Sequence, residues 1–225
     1  MGNRVFTIVY LVGLFGAGIL RGFYAWPNRR AAVEDDRRTS ADTLLLIPAS
    51  FGLGILPILY AFTPWLDFAD YAIPAWAGWI GVVLFVFALW LLWRSHAHLG
   101  RNWSPRLQLR PDHRLVTEGM YRYMRHPMYS AHWLWALAQP LLLHNWIAGP
   151  ALIVTFLPLY VYRAPREEQM MLERFGAGYR DYLKATGRLW PRRSRSCDSD
   201  RGARTVESRN SKSEIRNNSE ARNRK

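Results

Sequence analysis

Long apolar runs are the feature that most constrains the fold of this 225-residue chain. A membrane-spanning helix needs roughly 20 mostly apolar residues to cross a hydrocarbon core of about 30 Å. Five runs approach this length, and they cover residues 5–26, 43–65, 74–93, 128–143 and 146–162. The mean hydropathy of -0.14 hides them because a very polar C-terminal segment dilutes the average. The sequence therefore predicts an all-α, multi-pass integral membrane protein with about five transmembrane helices.

The basic residues of the connections predict how these helices are oriented. Among the four connections, only the first and third carry arginines, at positions 29, 30, 37, 38, 94, 101, 106, 110, 114, 122 and 125. Because basic connections face the cytoplasm, the C-terminus is predicted inside and the N-terminus outside, which requires an odd number of spans. The first run lacks a signal-peptide exit and is taken as a helix. Arg21, near its inner end, is expected to reach the lipid headgroups.

The C-terminal segment differs in composition from the rest of the chain. Residues 191–225 hold 11 basic and five acidic residues and almost no large apolar ones, so 192–225 is predicted to be a disordered, dispensable basic tail. The net charge of +13 would suggest nucleic-acid binding, but nearly half of it lies in this tail, and no nucleic-acid partner is expected. The predicted organisation is 1–93, N-terminal transmembrane helices; 94–191, catalytic region; and 192–225, tail.

Several familiar kinds of site are not favoured by the sequence. Cys197 is the sole cysteine, which excludes an intrachain disulfide and a cysteine-based metal site. The pairs Gly16/Gly18 and Gly52/Gly54 lie inside predicted helices, so they indicate helix packing rather than a cofactor cradle. His96 and His98 are two residues apart and lack a supporting carboxylate pattern, so no metal is expected.

Two charged stretches flank the last pair of predicted helices. Arg125-His126-Pro127-Met128-Tyr129 stands at the membrane entry of the fourth helix. Glu167 and Glu168 follow the fifth helix, where Pro165 is expected to open a new helix and Gly176 to close it. A helical hairpin would bring both stretches to one cytoplasmic opening. Headgroup anchoring and helix capping are the alternative explanations of these residues.

The two stretches together resemble the signature of the isoprenylcysteine carboxyl methyltransferase family. The second half of that signature runs through Glu167-Glu168, Leu172, Phe175-Gly176, Tyr179 and Tyr182 to Pro191. The resemblance covers about residues 95–191, and phospholipid methyltransferases are more distant relatives. Met120 replaces a proline and Ala131 a glycine that are usual in the family.

The resemblance implies a membrane methyltransferase with a cytosolic C-terminal catalytic segment. It implies S-adenosylmethionine as cofactor and a hydrophobic small-molecule or lipidated acceptor that enters from the membrane lipid and is methylated on a carboxylate or thiol. The catalytic residues would be Arg125, Glu167 and Glu168. The cofactor-binding residues would be His126, Pro127, Tyr129, Tyr179 and Tyr182.

Two other function classes compete with this interpretation. A sterol-type membrane reductase using NADPH has similar C-terminal helices, although the tandem glutamates fit the methyltransferases better. A non-enzymatic membrane subunit would leave the charged cluster unexplained. A thiol or amine acceptor would need a proton acceptor, for which Glu167, Glu168 and His126 are the candidates.

Overall fold

The computed structural model describes residues 2–26, 35–36, 39–100, 103, 108–109 and 114–192. Its long elements are the helices α1 Gly2–Ala25, α2 Ser40–Ser50, α3 Leu56–Phe62, α4 Ala75–Leu99, α5 Pro127–Leu143, α6 Ala151–Phe175 and α7 Ala177–Ala185. A π-helical turn, Phe51–Ile55, joins α2 to α3, and 3-10 helices cover Pro64–Ala69 and Gly119–Arg122. Strands β1 Asp35–Asp36 and β2 Gln108–Leu109 form a two-residue antiparallel ladder. The predicted disordered tail lies outside the described residues from position 193 onwards.

Among the described residues, three helical segments are long and apolar enough to cross a membrane, namely Arg4–Ala25, Ser40–Phe62 and Ala75–Leu99. Many of their large apolar side chains are exposed, among them Val12, Ile19, Phe23, Ile47, Val83 and Val86. Such extensive exposed apolar surface is typical of lipid contact, and the chain is an integral membrane protein. Helices α5 and α6 match the other two predicted spans in position, but α5 has only 17 residues and α6 becomes charged from Arg163. The count of five spans stays a prediction.

The helices pack around α5, which contacts α1, α4 and α6, while α2 packs on α6. A buried polar network ties this bundle together within its apolar core. The Tyr10 hydroxyl lies 2.6 Å from the Leu53 carbonyl oxygen and 3.0 Å from Gln139 Oε1. Gln139 Nε2 in turn donates to the carbonyl oxygens of Gly52 and Ala148. These bonds satisfy backbone groups near the π-helical turn, where the regular helical pattern is interrupted.

The connections meet in pairs at the two ends of the bundle. An isolated bridge joins Asp70, between α3 and α4, to Asn145, between α5 and α6. At the other end, β1 and β2 join the first connection to the third. Alternate connections therefore lie together, as an up-and-down helical arrangement requires. The domain boundary predicted at 93/94 falls inside α4. Residues 101–102, 104–107 and 110–113 of the third connection lie outside the described residues.

Glycine serves helix packing at one of the predicted positions. A Cβ atom at Gly52 would lie 2.2 Å from Thr155 Oγ1 and 2.9 Å from the Ala151 carbonyl oxygen, so only glycine allows α6 to approach this closely. The positions of Gly16, Gly18 and Gly54 are open. The packing interpretation is confirmed for Gly52 and finds no support at the other three.

The expectation that Pro165 opens a new helix is wrong, because α6 continues without a break from Ala151 to Phe175. An ion pair spans the proline, with Arg163 Nε 2.8 Å from Glu167 Oε1. Residues four apart face each other only on a helix, so this pair favours helical backbone on both sides of Pro165. Gly176 ends α6 as predicted, with φ at 52° and its N–H bonded to the Leu172 carbonyl.

Candidate active site

A cavity of about 450 Å³ lies between α1, α2, α5 and α6 and extends to α7. Its volume falls in the range of small-molecule sites. One part is apolar and is lined by Leu14, Leu46, Ala49, Leu53, Leu152 and Phe156. The other part is polar and is lined by Arg125, His126, Tyr129, Arg163, Glu167, Tyr179 and Tyr182. The cavity thus combines an apolar wall from the membrane helices with a charged end.

Six of the eight residues assigned from the sequence line this cavity. Glu168 and Pro127 do not line it. Pro127 is fully buried at the first position of α5. Pro127 has no N–H to leave unsatisfied there, so its place is explained by helix initiation. The hairpin of α5 and α6 brings the two charged stretches together, as expected.

Glu168 holds three basic side chains at the charged end. Its Oε1 atom lies 3.1 Å from Arg125 Nε and 3.1 Å from His126 Nε2. Arg188 binds the same carboxylate, with Nη2 3.1 Å from Oε2. Arg125 also donates from Nη1 to the carbonyl oxygens of Leu183, at 3.1 Å, and Thr186, at 2.5 Å. Glu168 therefore fixes the orientation of Arg125 relative to α5 and α7.

The ionised form of Glu168 is strongly favoured. Burial by itself raises the pKa of this carboxyl, but the hydrogen bond and charge of His126, followed by Arg125 and Arg188, outweigh it and lower the pKa from 4.5 to about 2. Glu168 lies beyond the predicted fifth span, 146–162, so its pKa is compared with that of a carboxyl group in water. It is a permanent anion at neutral pH.

This lowered pKa predicts an acid-sensitive contribution to stability. A carboxyl whose pKa falls from 4.5 to about 2 on folding stabilises the protein above pH 4.5, by about 3 kcal/mol, and loses this contribution as the pH drops towards 2. Thermal unfolding in detergent should show Glu168→Gln less stable than wild type at pH 7 and equal to it near pH 2.

Glu173→Gln, on the same helix but exposed, serves as the control for this titration. It should follow wild type at every pH. A Glu168→Gln protein that keeps the wild-type loss of stability between pH 4.5 and 2 would contradict the assignment.

Glu167 is the acidic residue of the cavity wall itself. Its Oε1 atom accepts hydrogen bonds from Arg163 Nε, at 2.8 Å, and from the Tyr129 hydroxyl, at 2.9 Å. His126 Nδ1 lies 3.8 Å from its Oε2 atom. Because Glu168 binds the other ring nitrogen, His126 lies between the two glutamates. The neighbouring glutamates thus have different surroundings, one facing the cavity and one bound to arginines behind it.

Two tyrosines of α7 complete the charged end. Tyr179 and Tyr182 are buried, and burial raises the pKa of both phenols, so both stay neutral at physiological pH. The Tyr182 hydroxyl donates to the Tyr121 carbonyl oxygen at 2.6 Å. Tyr182 thereby ties α7 to the 3-10 helix before α5, while the Tyr179 ring stands 5.8 Å from the Tyr182 ring.

The segment after α7 is joined to the start of α5 through backbone hydrogen bonds. The N–H groups of Arg125 and His126 donate to the carbonyl oxygens of Gly187, at 2.9 Å, and Arg188, at 3.1 Å. Arg192 N–H donates to the Tyr123 carbonyl oxygen at 2.9 Å. The chain as far as Arg192 is therefore held against the start of α5, where Arg125 and His126 line the cavity.

Some residues of the cavity and its surroundings were not assigned from the sequence. Arg163 precedes Glu167 by four residues, and this spacing on a helix could have identified it. Arg188 approaches Glu168 because the chain after α7 runs back to the start of α5. No local sequence pattern indicates this path of the chain. Arg21 and His132 also line the cavity. In the described part of the chain, no three His, Cys, Asp or Glu residues are grouped so that they could hold a metal ion.

Comparison with known proteins finds one family whose sequence model matches part of this chain. Residues 79–173 match the sequence model of the isoprenylcysteine carboxyl methyltransferase (ICMT) family, which confirms the resemblance. The chain is 34% identical over 87 residues to protein-S-isoprenylcysteine O-methyltransferase B of Arabidopsis thaliana, covering 38% of this chain and 44% of that protein. It is 36% identical over 73 residues to the Schizosaccharomyces pombe protein-S-isoprenylcysteine O-methyltransferase, covering 32% and 31%.

The similarity to these relatives is regional. The matching part of the chain spans less than half the length of the two relatives. A solved structure of a eukaryotic intramembrane Ras methyltransferase, an isoprenylcysteine carboxyl methyltransferase, superposes with a TM-score of 0.49 at 25% identity, covering 69% of this chain and 54% of the other.

Proposed function

We propose, from the place of residues 79–173 in the isoprenylcysteine carboxyl methyltransferase family, that this chain is a membrane methyltransferase using S-adenosylmethionine. The observation that carries the proposal is the convergence of Arg125, His126 and both glutamates at one end of a cavity that is otherwise apolar. The named relatives are methyltransferases, so the sterol-type reductase is not favoured. The acceptor is a hydrophobic molecule, such as a lipidated carboxylate.

The residues of the charged end fit S-adenosylmethionine in chemistry and in size. Glu167 supplies a carboxylate for the ammonium group of the cofactor, held in place by Arg163 and Tyr129. The partly buried ring of Tyr129 and the buried ring of Tyr179 supply flat surfaces for its nucleoside. When bound, the cofactor supplies a sulfonium methyl group, which passes to the acceptor while sulfur keeps the electron pair of the broken bond.

The chain's own contribution is mainly alignment and exclusion of water. A carboxylate acceptor is already ionised at neutral pH, so no strong base is needed. Arg125, fixed by Glu168 and by two backbone carbonyls, is a rigid cationic group that holds the shape of the charged end where cofactor and acceptor meet. The buried Tyr179 and Tyr182 of α7 cover part of the charged end, and exclusion of water there strengthens these charge interactions.

Membranes carrying the protein test this proposal when they are incubated with labelled S-adenosylmethionine and an S-prenylated cysteine. We expect label in a base-labile ester, which releases volatile methanol. Label in phospholipid or in a thioether would support methyltransferase activity but would show that the acceptor is a different molecule. Properly inserted protein that neither transfers label nor binds S-adenosylhomocysteine would refute the proposal.

The proposed topology has the N-terminus outside and the charged end of the cavity in the cytoplasm. The joining of alternate connections at opposite ends of the bundle supports the up-and-down arrangement. The arginines of the first and third connections support its orientation. A Cys197→Ser background permits labelling of single cysteines at exposed Asp67 and Glu118. Asp67→Cys should react with an impermeant reagent only from outside, and Glu118→Cys only from the cytoplasm. Reaction of Asp67→Cys from the cytoplasmic side alone would contradict the five-span arrangement.

A further inference from the structure

Arg21, near the end of α1, turns towards the protein interior and not towards the headgroups that the sequence suggested. Its guanidinium carbon stands 5.8 Å from the ring centroid of Trp103, which is buried. The side chain forms part of the cavity wall. A cationic group on a membrane helix thus faces the space in which the acceptor is expected.

The charge of Arg21 has no acidic partner among the residues that the structure describes. Two arginines on membrane helices line the cavity, and one of them, Arg163, is paired with Glu167. No carboxylate of the described residues forms an ion pair with Arg21. Charges within a membrane bundle are costly unless paired, and they mark ligand sites. An anion in the cavity would supply the missing partner.

The wall next to Arg21 indicates what kind of molecule carries that anion. Leu14 lies two helical turns before Arg21 on the same face of α1 and also lines the cavity. Leu46 and Leu53 face the cavity from the α2 side. An apolar strip therefore leads to a cation, and the molecule that matches both is an acidic amphiphile with its anionic group at Arg21.

We propose that Arg21 binds the anionic group of the methyl acceptor and selects carboxylate-bearing amphiphiles. The inference rests on the proposed function, since it places the acceptor in the same cavity. Arg21 lies outside residues 79–173, which match the family. Choice of acceptor is then a property of the N-terminal helices, and the chemistry is a property of the family region.

Binding of a matched pair of probes tests this assignment without requiring turnover. The probes are an S-prenylated cysteine with a free carboxylate and the same compound as its carboxamide, titrated calorimetrically into detergent-solubilised protein. Wild type should bind the carboxylate at least 10-fold more tightly than the carboxamide. Arg21→Gln should lose this preference, and Arg21→Lys should keep part of it. Arg4→Gln, on an exposed position of the same helix, is the matched control and should resemble wild type.

Two additional measurements separate the possible outcomes. Unchanged S-adenosylhomocysteine binding by Arg21→Gln shows that the variant is folded. Phosphatidylglycerol added to the micelles should leave the preference unchanged, whereas its loss would assign Arg21 to a lipid headgroup and overturn the inference.

The inference and the proposed function can fail separately. Absence of the preference in wild type, or its survival in Arg21→Gln, refutes the role of Arg21 even if the protein transfers methyl groups. A preference that depends on Arg21, in a protein that neither transfers methyl groups nor binds S-adenosylhomocysteine, supports the binding site and refutes the function.

Discussion

Arg125→Ala is expected to reduce methyl transfer by tens to thousands of times while the protein remains inserted and folded. The substitution removes a cation held at once by Glu168, Leu183 and Thr186. Truncating one partner of a buried charged pair costs about 2 to 5 kcal/mol, and each 1.4 kcal/mol is roughly a factor of ten. A residue that only anchored headgroups would leave turnover nearly intact. Turnover and S-adenosylhomocysteine binding are the measurements.

The pair Arg125 and Glu168 can be tested as a unit. Glu168→Ala should also reduce turnover strongly, and the double variant should lose much less than the two single losses combined, because the same contact is removed twice. Arg180→Ala, on an exposed position of α7, is the matched control and should behave as wild type. Additive losses, or wild-type values for both single variants, would show that the contact does not serve the site.

The main elements of this fold could be predicted from the sequence because they depend on length and hydropathy. The apolar runs coincide with α1, the α2–α3 segment, α4, α5 and α6. The meeting of Arg125 with Glu168 followed from the hairpin, since two helices joined by a short connection bring their outer ends together. The two charged stretches taken together indicated the resemblance to a family, which single residues could not indicate.

Features that depend on tertiary packing could not be predicted in the same way. Pro165 carries a local signal for a helix start, but the pair between Arg163 and Glu167 and the packing of α6 override it. The connection between α5 and α6 extends over 144–150, because His144 adopts φ of 52° and Asn145 accepts the N–H groups that follow it. No spacing of residues in the sequence indicates the continuous α6 or the length of this connection.

Two contributions to the site were beyond sequence reasoning for another reason. Backbone pairing between Tyr123–His126 and Gly187–Arg192 involves N–H and C=O groups that every residue carries, so no side-chain pattern indicates it. A Cβ atom at Gly187 would lie 2.0 Å from the Trp190 carbonyl oxygen, which shows how tight this turn is. The inward direction of Arg21 depends on the rotation of α1 about its axis, and α1 is apolar on most sides.

Glu167→Gln is expected to weaken cofactor binding and methyl transfer together. Glu167 is the carboxylate that lines the cavity, and it accepts hydrogen bonds from Arg163 and Tyr129. Hydrogen bonds to charged groups contribute about 1.5 to 3 kcal/mol each, so loss of the charge should weaken S-adenosylhomocysteine binding by about ten- to a hundredfold. Tyr129→Phe removes one neutral donor and should cost much less.

The charge of Arg163 provides a further test of the same position. Glu167→Gln removes the carboxylate that forms an ion pair with the Arg163 guanidinium, so Arg163→Gln added to it should recover stability but not cofactor affinity. Glu173→Gln, one turn and a half further along α6 and exposed, should leave both quantities unchanged. A helix-dipole role for Glu167 would cost only about 0.3 to 1 kcal/mol and would leave cofactor binding intact. Wild-type affinity in Glu167→Gln would therefore remove this carboxylate from the cofactor site and leave it as a structural partner of Arg163.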